Sequence, residues 1–474
     1  MFELMETRSL KYVAESCDGE IINGAVDTPL YRVSTDSRRV RAGDLFVALA
    51  GENFDGHDYV VESGQNGAAA ALVEKGRGRQ PATGLPLVVV ADTRLALGKL
   101  ASRYRRDFNL PIVIVGGSNG KTTTKELIAS VVRQRFKTLA SEASFNNDIG
   151  VPLTLLSLEE AHQIGVLEVG TNHPGELAPL VRMIQPQLGV VTTIGREHLE
   201  FFGNLAAVAQ EEGWLAELLP AKGKLFIGGD GDWCDTVVQR TRASIIRLGT
   251  AETNDWRATA IRVDGLGTTF ELKSPIPSLN GRYRINLLGR HQAVNALFAL
   301  AVGAELGLSR EELEKGLADC QPPKMRLQLW ETNGVQVLDD SYNANADSMN
   351  AAIQTLYDFP CAGRRIAVLG DMTELGEFGF DAHAEIGRRA AQLGVDHLFA
   401  VGRMAPVVAG AAREAGLAGA TDFGDIETAG LAVKEFVRSG DVILLKASRA
   451  TRLERIGIIL RGDEKAAAKQ IAKQ

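Results

Sequence analysis

The chain has 474 residues, 45% of them hydrophobic and 23% charged, and a formal net charge of −7. Its length exceeds what one hydrophobic core normally serves, so we expect about two to four domains, and its negative charge argues against nucleic acid as the main partner. The sequence has no signal-peptide core, no run near the ~18 apolar residues of a membrane span, and no CxxC pair among Cys17, Cys234, Cys320 and Cys361. These features predict a cytoplasmic protein with reduced thiols, no zinc site and no membrane span.

The predicted elements begin with short strand-like runs in residues 1–108, such as GDLFVALAG and LPLVVVAD. From residue 109 to 321, apolar runs alternate with helical patterns, first in PIVIVGGSNGKTTTKELIASVV and then in HQIGVLEVG, QLGVVTTIG and GKLFIGG. Continuous apolar runs of this length are typical of parallel strands that are covered on both faces. This block is therefore predicted to be a P-loop-type, mostly parallel sheet with helices.

The pattern changes after residue 254. The runs WRATAIRV, TTFELKS and YRINLLG alternate in polarity, which predicts an antiparallel patch, and HQAVNALFALAVGAELGL predicts a helix. The tandem prolines of DCQPPKMR indicate a linker. Strand and helix then repeat in GVQVLDD, RRIAVLGD, DHLFAVG and DVILLKAS. The predicted fold class is α/β with three domains: a small α/β N-terminal domain (1–108), the central domain (109–321) and a C-terminal Rossmann-like domain (322–474).

The segment GGSNGKTTT, residues 116–124, lies between a predicted strand and a predicted helix. Its glycines let backbone amides close around phosphate oxygens, and the helix N-terminus adds partial positive charge. Lys121 can reach the terminal phosphates of a nucleotide, and the Thr122 hydroxyl can bind Mg²⁺. The strict eight-residue Walker pattern fails because Val115 takes its first glycine position, so a plain glycine turn is the alternative. The strand–loop–helix setting favours ATP binding.

Glu168 and His198 follow the next two predicted strands. Open parallel sheets bind ligands at the carboxyl ends of their strands, so Glu168 could be a second Mg²⁺ ligand beside Thr122. The alternatives are a surface or loop-capping glutamate and a structural histidine. His173, in the loop after Glu168, is left without a role.

Glu211 and Glu212 lie in a helix that Asn204 is expected to cap. At 100° per residue the two acids straddle the apolar face, and periodicity does not choose between them. A carboxylate turned toward a core is costly unless it is paired or bound to a metal. Spacing alone slightly favours the interpretation that both acids lie at the edge of the apolar stripe and reach water.

Together the motifs resemble the Mur ligase family, the ATP-dependent amino-acid and peptide ligases of peptidoglycan synthesis. The resemblance covers nearly the whole chain, and NNDIGVPLTLL and DDSYNAN favour the branch that adds D-alanyl-D-alanine over those that add one amino acid. It rests on the segments STDSRRVRAGDLFVALAGENFDGHDYV, GSNGKTTTKE, SFNNDIGVPLTLL, EVGTNHPGEL, HLEFFGNL, HQAVNALFAL, MRL, LDDSYNANADS, LGDMTELGE and LLKASRATRLE.

The resemblance implies a monomer that takes UDP-N-acetylmuramoyl-tripeptide, D-alanyl-D-alanine, ATP and two Mg²⁺ ions. The tripeptide carboxylate attacks the γ-phosphate to give an acyl phosphate and ADP; the dipeptide amine then attacks the acyl carbon and phosphate leaves. Residues 1–108 would bind the UDP substrate, 109–321 would bind ATP, and 322–474 would close over the site. Closure would complete the site and exclude water from the acyl phosphate.

The resemblance also assigns residues. The catalytic and metal-binding set is Lys121, Thr122, Glu168, His198 and Glu212. The ATP-binding set is Gly117, Ser118, Asn119, Gly120, Lys121, Thr122, Thr123, Asn295, Arg326 and Asp340. The substrate-binding set is Ser37 and Arg38 at the UDP end, where a solvated surface pair is the alternative, Asn146 and Asn147 at the tripeptide, and Asn343, Asn345, Lys446 and Ser448 at the dipeptide.

Three positions depart from the family pattern. Most of the family carries a CO₂-modified lysine, a carbamate that helps hold the second Mg²⁺, where this chain has Glu212. Glutamate supplies the same two-oxygen head on a shorter stem, so we expect Glu212 to replace the carbamate. Gly116 stands where threonine is usual, which would remove one contact near the phosphates. Ala346 stands where proline is usual, which would loosen its loop.

Two other functions would suit parts of the pattern. One is a different ligase of the superfamily, such as a folylpolyglutamate synthetase or a single-residue Mur ligase, which the preferred amine acceptor would reveal. The other is a P-loop binding or regulatory protein that uses the nucleotide as a switch. Such a protein would hydrolyse ATP without forming an amide, and it would not need acids after successive strands.

Overall fold

The computed structural model describes residues 5–51, 54–77 and 84–462. Its three larger sheets come from separate stretches of the chain: five strands within residues 20–90, nine within 112–285 and six within 328–446. The predicted α/β class is confirmed. Residues 463–474, the end of the predicted C-terminal domain, lie outside the described residues.

The first stretch forms a small mixed sheet with three helices. Its order is β2-β7-β6-β5-β4, parallel except for the β2–β7 pair, and β1 and β3 pair separately. The elements are β1 Arg8–Ser9, α1 Leu10–Cys17, β2 Glu20–Ile22, β3 Pro29–Leu30, β4 Arg32–Ser34, β5 Asp44–Val47, α2 Val60–Gln65, β6 Ala70–Glu74, β7 Leu87–Val90 and α3 Thr93–Arg105, with 3-10 turns at Ser37–Arg39 and Gly56–Tyr59.

The second stretch forms the nine-stranded sheet. Its elements are β8 Ile112–Gly116, α4 Lys121–Val132, β9 Thr138–Ala140, α5 Gly150–Leu155, β10 Ile164–Glu168, α6 Leu177–Ile184, β11 Leu188–Val191, α7 Leu199–Phe202, α8 Leu205–Glu217, β12 Lys224–Gly228, α9 Cys234–Val238, β13 Ser244–Gly249, β14 Trp256–Asp264, β15 Gly267–Lys273, a 3-10 turn Pro277–Leu279, β16 Gly281–Ile285, α10 Arg290–Glu305 and α11 Arg310–Asp319. The order is β16-β15-β14-β13-β12-β11-β8-β10-β9. Neighbouring strands from β9 through β10, β8, β11, β12 and β13 to β14 pair in parallel, whereas β15 pairs antiparallel with both β14 and β16. This arrangement confirms the predicted change of pattern.

The third stretch forms the six-stranded sheet, in the order β17-β18-β22-β19-β20-β21. Only the edge hairpin β17–β18 is antiparallel. The elements are β17 Gln328–Thr332, β18 Val335–Asp340, α12 Ala346–Asp358, β19 Arg365–Gly370, a 3-10 turn Gly376–Phe378, α13 Gly379–Gln392, β20 His397–Val401, α14 Ala405–Glu414, β21 Ala420–Phe423, α15 Ile426–Phe436, β22 Val442–Lys446, a 3-10 turn Arg449–Thr451 and α16 Glu454–Arg461.

The core of the nine-stranded sheet explains where a ligand can bind. Strand β8 is buried along its whole length and lies between β10 and β11, with apolar side chains packed on both faces of the sheet. Because these three neighbouring strands are parallel, their carboxyl ends open at the same edge. Within the described part of the chain, no helix is long and apolar enough to cross a membrane.

Candidate active site

The loop after β8 has a backbone that favours glycine. Gly117 and Gly120 have φ angles of 107° and 82°, a region that side chains with a Cβ rarely adopt. A Cβ at position 117 would also lie 2.5 Å from the Thr192 hydroxyl, and a Cβ at position 120 would lie 2.7 Å from Asn295 Oδ1. Helix α4 begins directly after the loop at Lys121. The predicted strand–loop–helix unit is confirmed, and its helix N-terminus opens toward the ligand side of the sheet.

A cavity of about 720 Å³ lies between this loop and the third stretch of the chain. It brings together sixteen of the residues singled out above. They are Ser118, Asn119, Gly120, Lys121, Thr122, Thr123, Asn146, Asn147, Glu168, His198, Asn295, Arg326, Asp340, Asn343, Asn345 and Lys446. Gly117, Glu212, Ser448, Ser37 and Arg38 do not line it.

Glu168 is the last residue of β10 and is almost completely buried. Its Oε1 accepts a hydrogen bond of 2.8 Å from the Asn146 amide, whereas its Oε2 has no partner. Asn147 instead lies just before α5, where its Oδ1 accepts hydrogen bonds from the amides of Ile149 and Gly150. A buried carboxylate oxygen without a hydrogen-bond donor is energetically costly. Glu168 lines the cavity, so this oxygen is available to a bound ligand there.

Lys121 points at carboxylates. Its Nζ lies 3.1 Å from Glu197 Oε2 and donates to the Ser118 carbonyl at 3.3 Å. Burial opposes the ammonium charge, but the carboxylates of Glu197, Glu212 and Glu168 outweigh it and raise the pKa of Lys121. Sequence reasoning missed Glu197, although it directly precedes His198 and that position was the available signal.

His198 is the N-cap of α7 and has a left-handed backbone, φ 49°. Its Nδ1 lies 2.5 Å from Glu374 Oε2, and its Nε2 lies 4.0 Å from Glu197 Oε2. Because a carboxylate only accepts hydrogen bonds, Nδ1 is the donor to Glu374. Sequence reasoning missed Glu374, which stands inside the quoted segment LGDMTELGE.

The preference for exposed acids in α8 was wrong. Glu211 is 5% exposed and Glu212 is 1% exposed, because the helix packs against β11, α6 and α9 rather than facing water. Glu211 accepts from the amides of Gly175 and Leu177 at the start of α6. The capping of the helix by Asn204 is confirmed, since its Oδ1 accepts from the Ala207 amide.

Glu212 lies beneath the phosphate loop. Its Oε2 accepts the Gly117 amide at 2.7 Å, and its Oε1 has no partner. Burial, together with the neighbouring Glu197 and Glu211 charges, raises the pKa of Glu212 to about 8, against the opposing effects of Lys121 and the Gly117 amide. The carboxyl group therefore favours its neutral form until a cation comes near.

Residues of the third stretch reach across the cavity. Arg326 Nη2 donates to the Thr122 hydroxyl at 3.2 Å, and Asn345 Nδ2 donates to Asn119 Oδ1 at 2.9 Å. Asn345 also caps α12. On the opposite wall, Asn295 donates to Gln292 at 2.9 Å.

Lys446 is buried at the end of β22. Its Nζ is bound by Asp340 Oδ2 at 2.6 Å and by the Asn343 carbonyl at 3.0 Å. Ser448 stands behind this wall, donating to the Ala344 carbonyl and accepting the Thr373 amide. Ser448 is therefore placed to support the wall rather than to face the cavity.

The two residues expected at the UDP end lie in a different place, on the first sheet. Ser37 is buried in a 3-10 turn, and Arg38 is exposed and paired with Asp36 at 2.8 Å. The cavity described above does not reach them.

The chemical type of these donors suits a hard divalent cation, although their present arrangement does not form a complete site. Mg²⁺ prefers carboxylate and hydroxyl oxygens, and Glu168 Oε2 and Glu212 Oε1 are buried oxygens without a donor. Over residues 5–51, 54–77 and 84–462, no group of three or more His, Cys, Asp or Glu side chains stands in an arrangement that could hold a metal. The ammonium of Lys121 lies among these carboxylates instead.

Three family descriptions match the chain: the Mur ligase middle domain over residues 115–303, the Mur ligase glutamate ligase domain over 325–449 and the Mur ligase family catalytic domain over 29–105. The UDP-N-acetylmuramoyl-tripeptide–D-alanyl-D-alanine ligase of Escherichia coli (strain K12) is 38% identical over 397 residues, 82% of this chain and 86% of that protein.

Solved structures agree with the sequence matches. MurF from Acinetobacter baumannii superposes with a TM-score of 0.88 at 31% identity, covering 97% of this chain and 99% of its own. The MurF ligase from Thermotoga maritima in complex with ADP has a TM-score of 0.79 at 27% identity, covering 92% and 98%. The fold, the phosphate loop and these matches agree, and the chain belongs to the Mur ligase family.

Proposed function

We propose that this protein uses ATP to join D-alanyl-D-alanine to UDP-N-acetylmuramoyl-tripeptide, a step of peptidoglycan precursor synthesis. One observation carries the proposal: Lys121 of the phosphate loop, Glu168 and His198 share one cavity with Asn343 and Lys446 of the third stretch. The 38% identity to a ligase of that name supports the choice of substrates. ATP use is further supported by the ADP complex of the related ligase from Thermotoga maritima.

The reaction joins two anions before it makes an amide. The tripeptide carboxylate attacks the γ-phosphorus, the bond to the β-phosphate breaks, and ADP leaves with its electron pair. The amine of D-alanyl-D-alanine then attacks the acyl carbon, loses a proton, and expels inorganic phosphate. Neutralising and aligning the anions is therefore the main task of the site.

Different residues of the chain would bind the nucleotide, the tripeptide and the dipeptide. The loop from Gly117 to Thr123 would bind the phosphates, with Lys121 supplying positive charge at the γ-phosphate. Asn295 would hold adenine, while Arg326 and Asp340 would approach the nucleotide from the third stretch. Asn146 and Asn147 would face the tripeptide, and Asn343, Asn345, Lys446 and Ser448 would serve the dipeptide side. The closed cavity would keep water from the acyl phosphate.

Two Mg²⁺ ions would be held by Thr122, Glu168, His198 and Glu212. The bound cations would screen the γ-phosphate and bring the attacking carboxylate toward it. Support comes from the unpaired oxygens of Glu168 and Glu212. Glu212 would act as a built-in replacement for the carbamate of other family members, since a nearby cation would stabilise its ionised form.

The wider assignments belong to the same proposal. Residues 1–108 would bind the UDP end through Ser37 and Arg38, residues 109–321 would bind ATP, and residues 322–474 would complete the site. The protein would act in the cytoplasm as a monomer.

One assay tests the function. Purified protein is supplied with ATP, MgCl₂ and UDP-N-acetylmuramoyl-tripeptide, and phosphate release is measured with D-alanyl-D-alanine, a free amino acid or glutamate as acceptor. The expected result is release that depends on the dipeptide, with the ligated product found by mass spectrometry. Release with glutamate or a single amino acid instead would replace the proposed function with that of another ligase. ATP hydrolysis without any amide product would identify a nucleotide switch.

A further inference from the structure

The pair between Lys121 and Glu197 lies where the nucleotide phosphates are expected. The two charged atoms are 3.1 Å apart, and their side chains are only 15% and 8% exposed. In this geometry the main counter-ion of the phosphate-loop lysine is a carboxylate of the same chain.

Glu197 is held in place from both sides. The Arg196 guanidinium binds Asp347 and Glu385, and the imidazole of His198 binds Glu374. All three acidic partners belong to the third stretch of the chain, so the backbone around Glu197 is fixed between two units. The Glu197 side chain, which is only 8% exposed, therefore stays within the site when its partner leaves.

A nucleotide would break this pair. Lys121 cannot neutralise the terminal phosphates and Glu197 equally, and an ionised carboxylate that loses its partner in a buried site is strongly destabilised. Two other buried carboxyl groups close by, Glu168 and Glu212, each already have one oxygen without a donor. Adding a triphosphate beside these buried carboxyl groups requires new positive charge at this point.

We propose that Glu197 is a third carboxylate of the cation site and that it exchanges its counter-ion during nucleotide binding. In the free protein the Lys121 ammonium neutralises it. When the phosphates draw Lys121 away, Glu197 turns to the divalent cation that accompanies the nucleotide. The inference rests on the proposed function in one respect only, that a nucleotide binds at this loop.

The exchange predicts that Glu197→Gln changes nucleotide affinity by different amounts with and without the divalent cation. Without a divalent cation, the variant should bind nucleotide more tightly than the wild type, because Lys121 is free and no bare carboxylate faces the phosphates. With the cation present, the variant should gain less, because one anionic ligand is missing. The quantity to compare is therefore the ratio of the two dissociation constants.

The experiment measures β,γ-methylene-ATP binding by calorimetry, with EDTA and with saturating MgCl₂. The improvement that MgCl₂ brings to the wild type should shrink at least about fivefold in Glu197→Gln, in the usual range of couplings between two bound ligands. Binding of Mg²⁺ to the free nucleotide is the same for both proteins and cancels in the comparison. Glu200→Gln is the matched control, since it removes the same charge from an exposed position three residues later.

A second variant keeps the test decisive if Glu197→Gln does not fold. Lys121→Gln should bind Mn²⁺ more tightly than the wild type in the absence of nucleotide, measured by the paramagnetic resonance of free Mn²⁺, because the carboxylates have lost their ammonium. An equal change of both nucleotide dissociation constants in Glu197→Gln, or no change in either, overturns the proposal. So does Mn²⁺ binding to Lys121→Gln that is no tighter than to the wild type. These are binding measurements, so they can fail while the ligation assay succeeds, and the reverse.

Discussion

At the scale of single residues, Gly116 and Glu212 fit each other. A Cβ on Gly116 would lie 3.0 Å from Glu212 Oε2 and 2.8 Å from Leu215 Cδ1. Both separations are shorter than normal contacts between packed atoms. A threonine at position 116, as the family resemblance leads one to expect, would therefore displace the Glu212 carboxylate. Gly116 and Glu212 therefore form one packing arrangement.

Glu212→Gln tests the role proposed for this acid. We expect the ligation rate to fall at least about tenfold, because a neutral amide holds a cation poorly, while Glu217→Gln, an exposed change on the same helix, should leave the rate intact. The measurement is ADP or phosphate release with both substrates. Wild-type activity should also persist in CO₂-depleted buffer. A strong loss there, restored by bicarbonate, would show that a carbamate is still needed and would contradict the replacement.

Gly116→Ala tests the packing between the two residues. The added methyl group should lower the free energy of unfolding by about 1–3 kcal/mol, the usual cost of overfilling a packed site. Gly410→Ala is the control, because position 410 lies in α14 with no atom near its virtual Cβ, and alanine is the better helix former by up to about 1 kcal/mol. Urea denaturation measures both. Equal stability of Gly116→Ala and the wild type would mean that the neighbours of Gly116 give way easily.

At the scale of elements, a histidine at the start of α10 makes the free energy of unfolding depend on pH. His291 stands in the first turn of this helix, where the helix dipole disfavours positive charge. Its side chain keeps some exposed area but is densely enclosed, and this enclosure, with the positive charge of Lys446, lowers the pKa of His291 to about 4. The folded protein therefore keeps this imidazole neutral under conditions in which an unfolded chain would protonate it.

His291→Gln should make the protein less sensitive to acid. In the wild type the unfolded state takes up this proton near the ordinary pKa of about 6.5 and the folded state only near 4. Stability is therefore lost as the pH falls from about 6.5 toward 4, and the full contribution is present above 6.5. Urea denaturation at several pH values should give a shallower loss in the variant over this window. Identical slopes for the two proteins would contradict the prediction.

At the scale of the whole molecule, contacts across the cavity join the second and third stretches. Arg196 forms two hydrogen bonds each with Asp347 and Glu385 through its backbone and guanidinium. Ser144 and Tyr342 share a hydrogen bond of 2.6 Å. The residues joined by these bonds are far apart in sequence, so the bonds hold the second stretch against the third. Alignment of the reacting groups depends on that arrangement.

Arg196→Ala should loosen the arrangement without unfolding either unit. We expect the ligation rate to fall about 10- to 100-fold, the usual effect of a small misplacement of reacting groups, with a smaller change in nucleotide affinity. The control is Arg284→Ala, which breaks an Arg–Asp pair with Asp264 inside the nine-stranded sheet and should leave turnover unchanged. Equal turnover in Arg196→Ala and the wild type would show that other contacts maintain the closed form.

The sequence predicted site residues best where a functional side chain comes directly at or after one buried strand. Glu168 and Lys121 stand beside buried strand ends, so hydrophobic pattern and loop composition were enough to place them. Glu197 and Glu374 were missed because their importance depends on neighbours far along the chain, Lys121 and His198. The acids of α8 were misplaced because periodicity describes one helix and not the elements that cover it.

The sequence by itself determined the α/β class, the parallel strands around the phosphate loop, the antiparallel patch after residue 254 and the capping of α8 by Asn204. These features depend on local pattern, since a strand or a cap is specified by residues that are near each other in the chain. Only the tertiary structure decided which carboxylate faces Lys121, which acid binds His198 and which oxygens remain unpaired. Those facts are set by packing between distant segments, because the charge and burial of a side chain depend on everything that surrounds it.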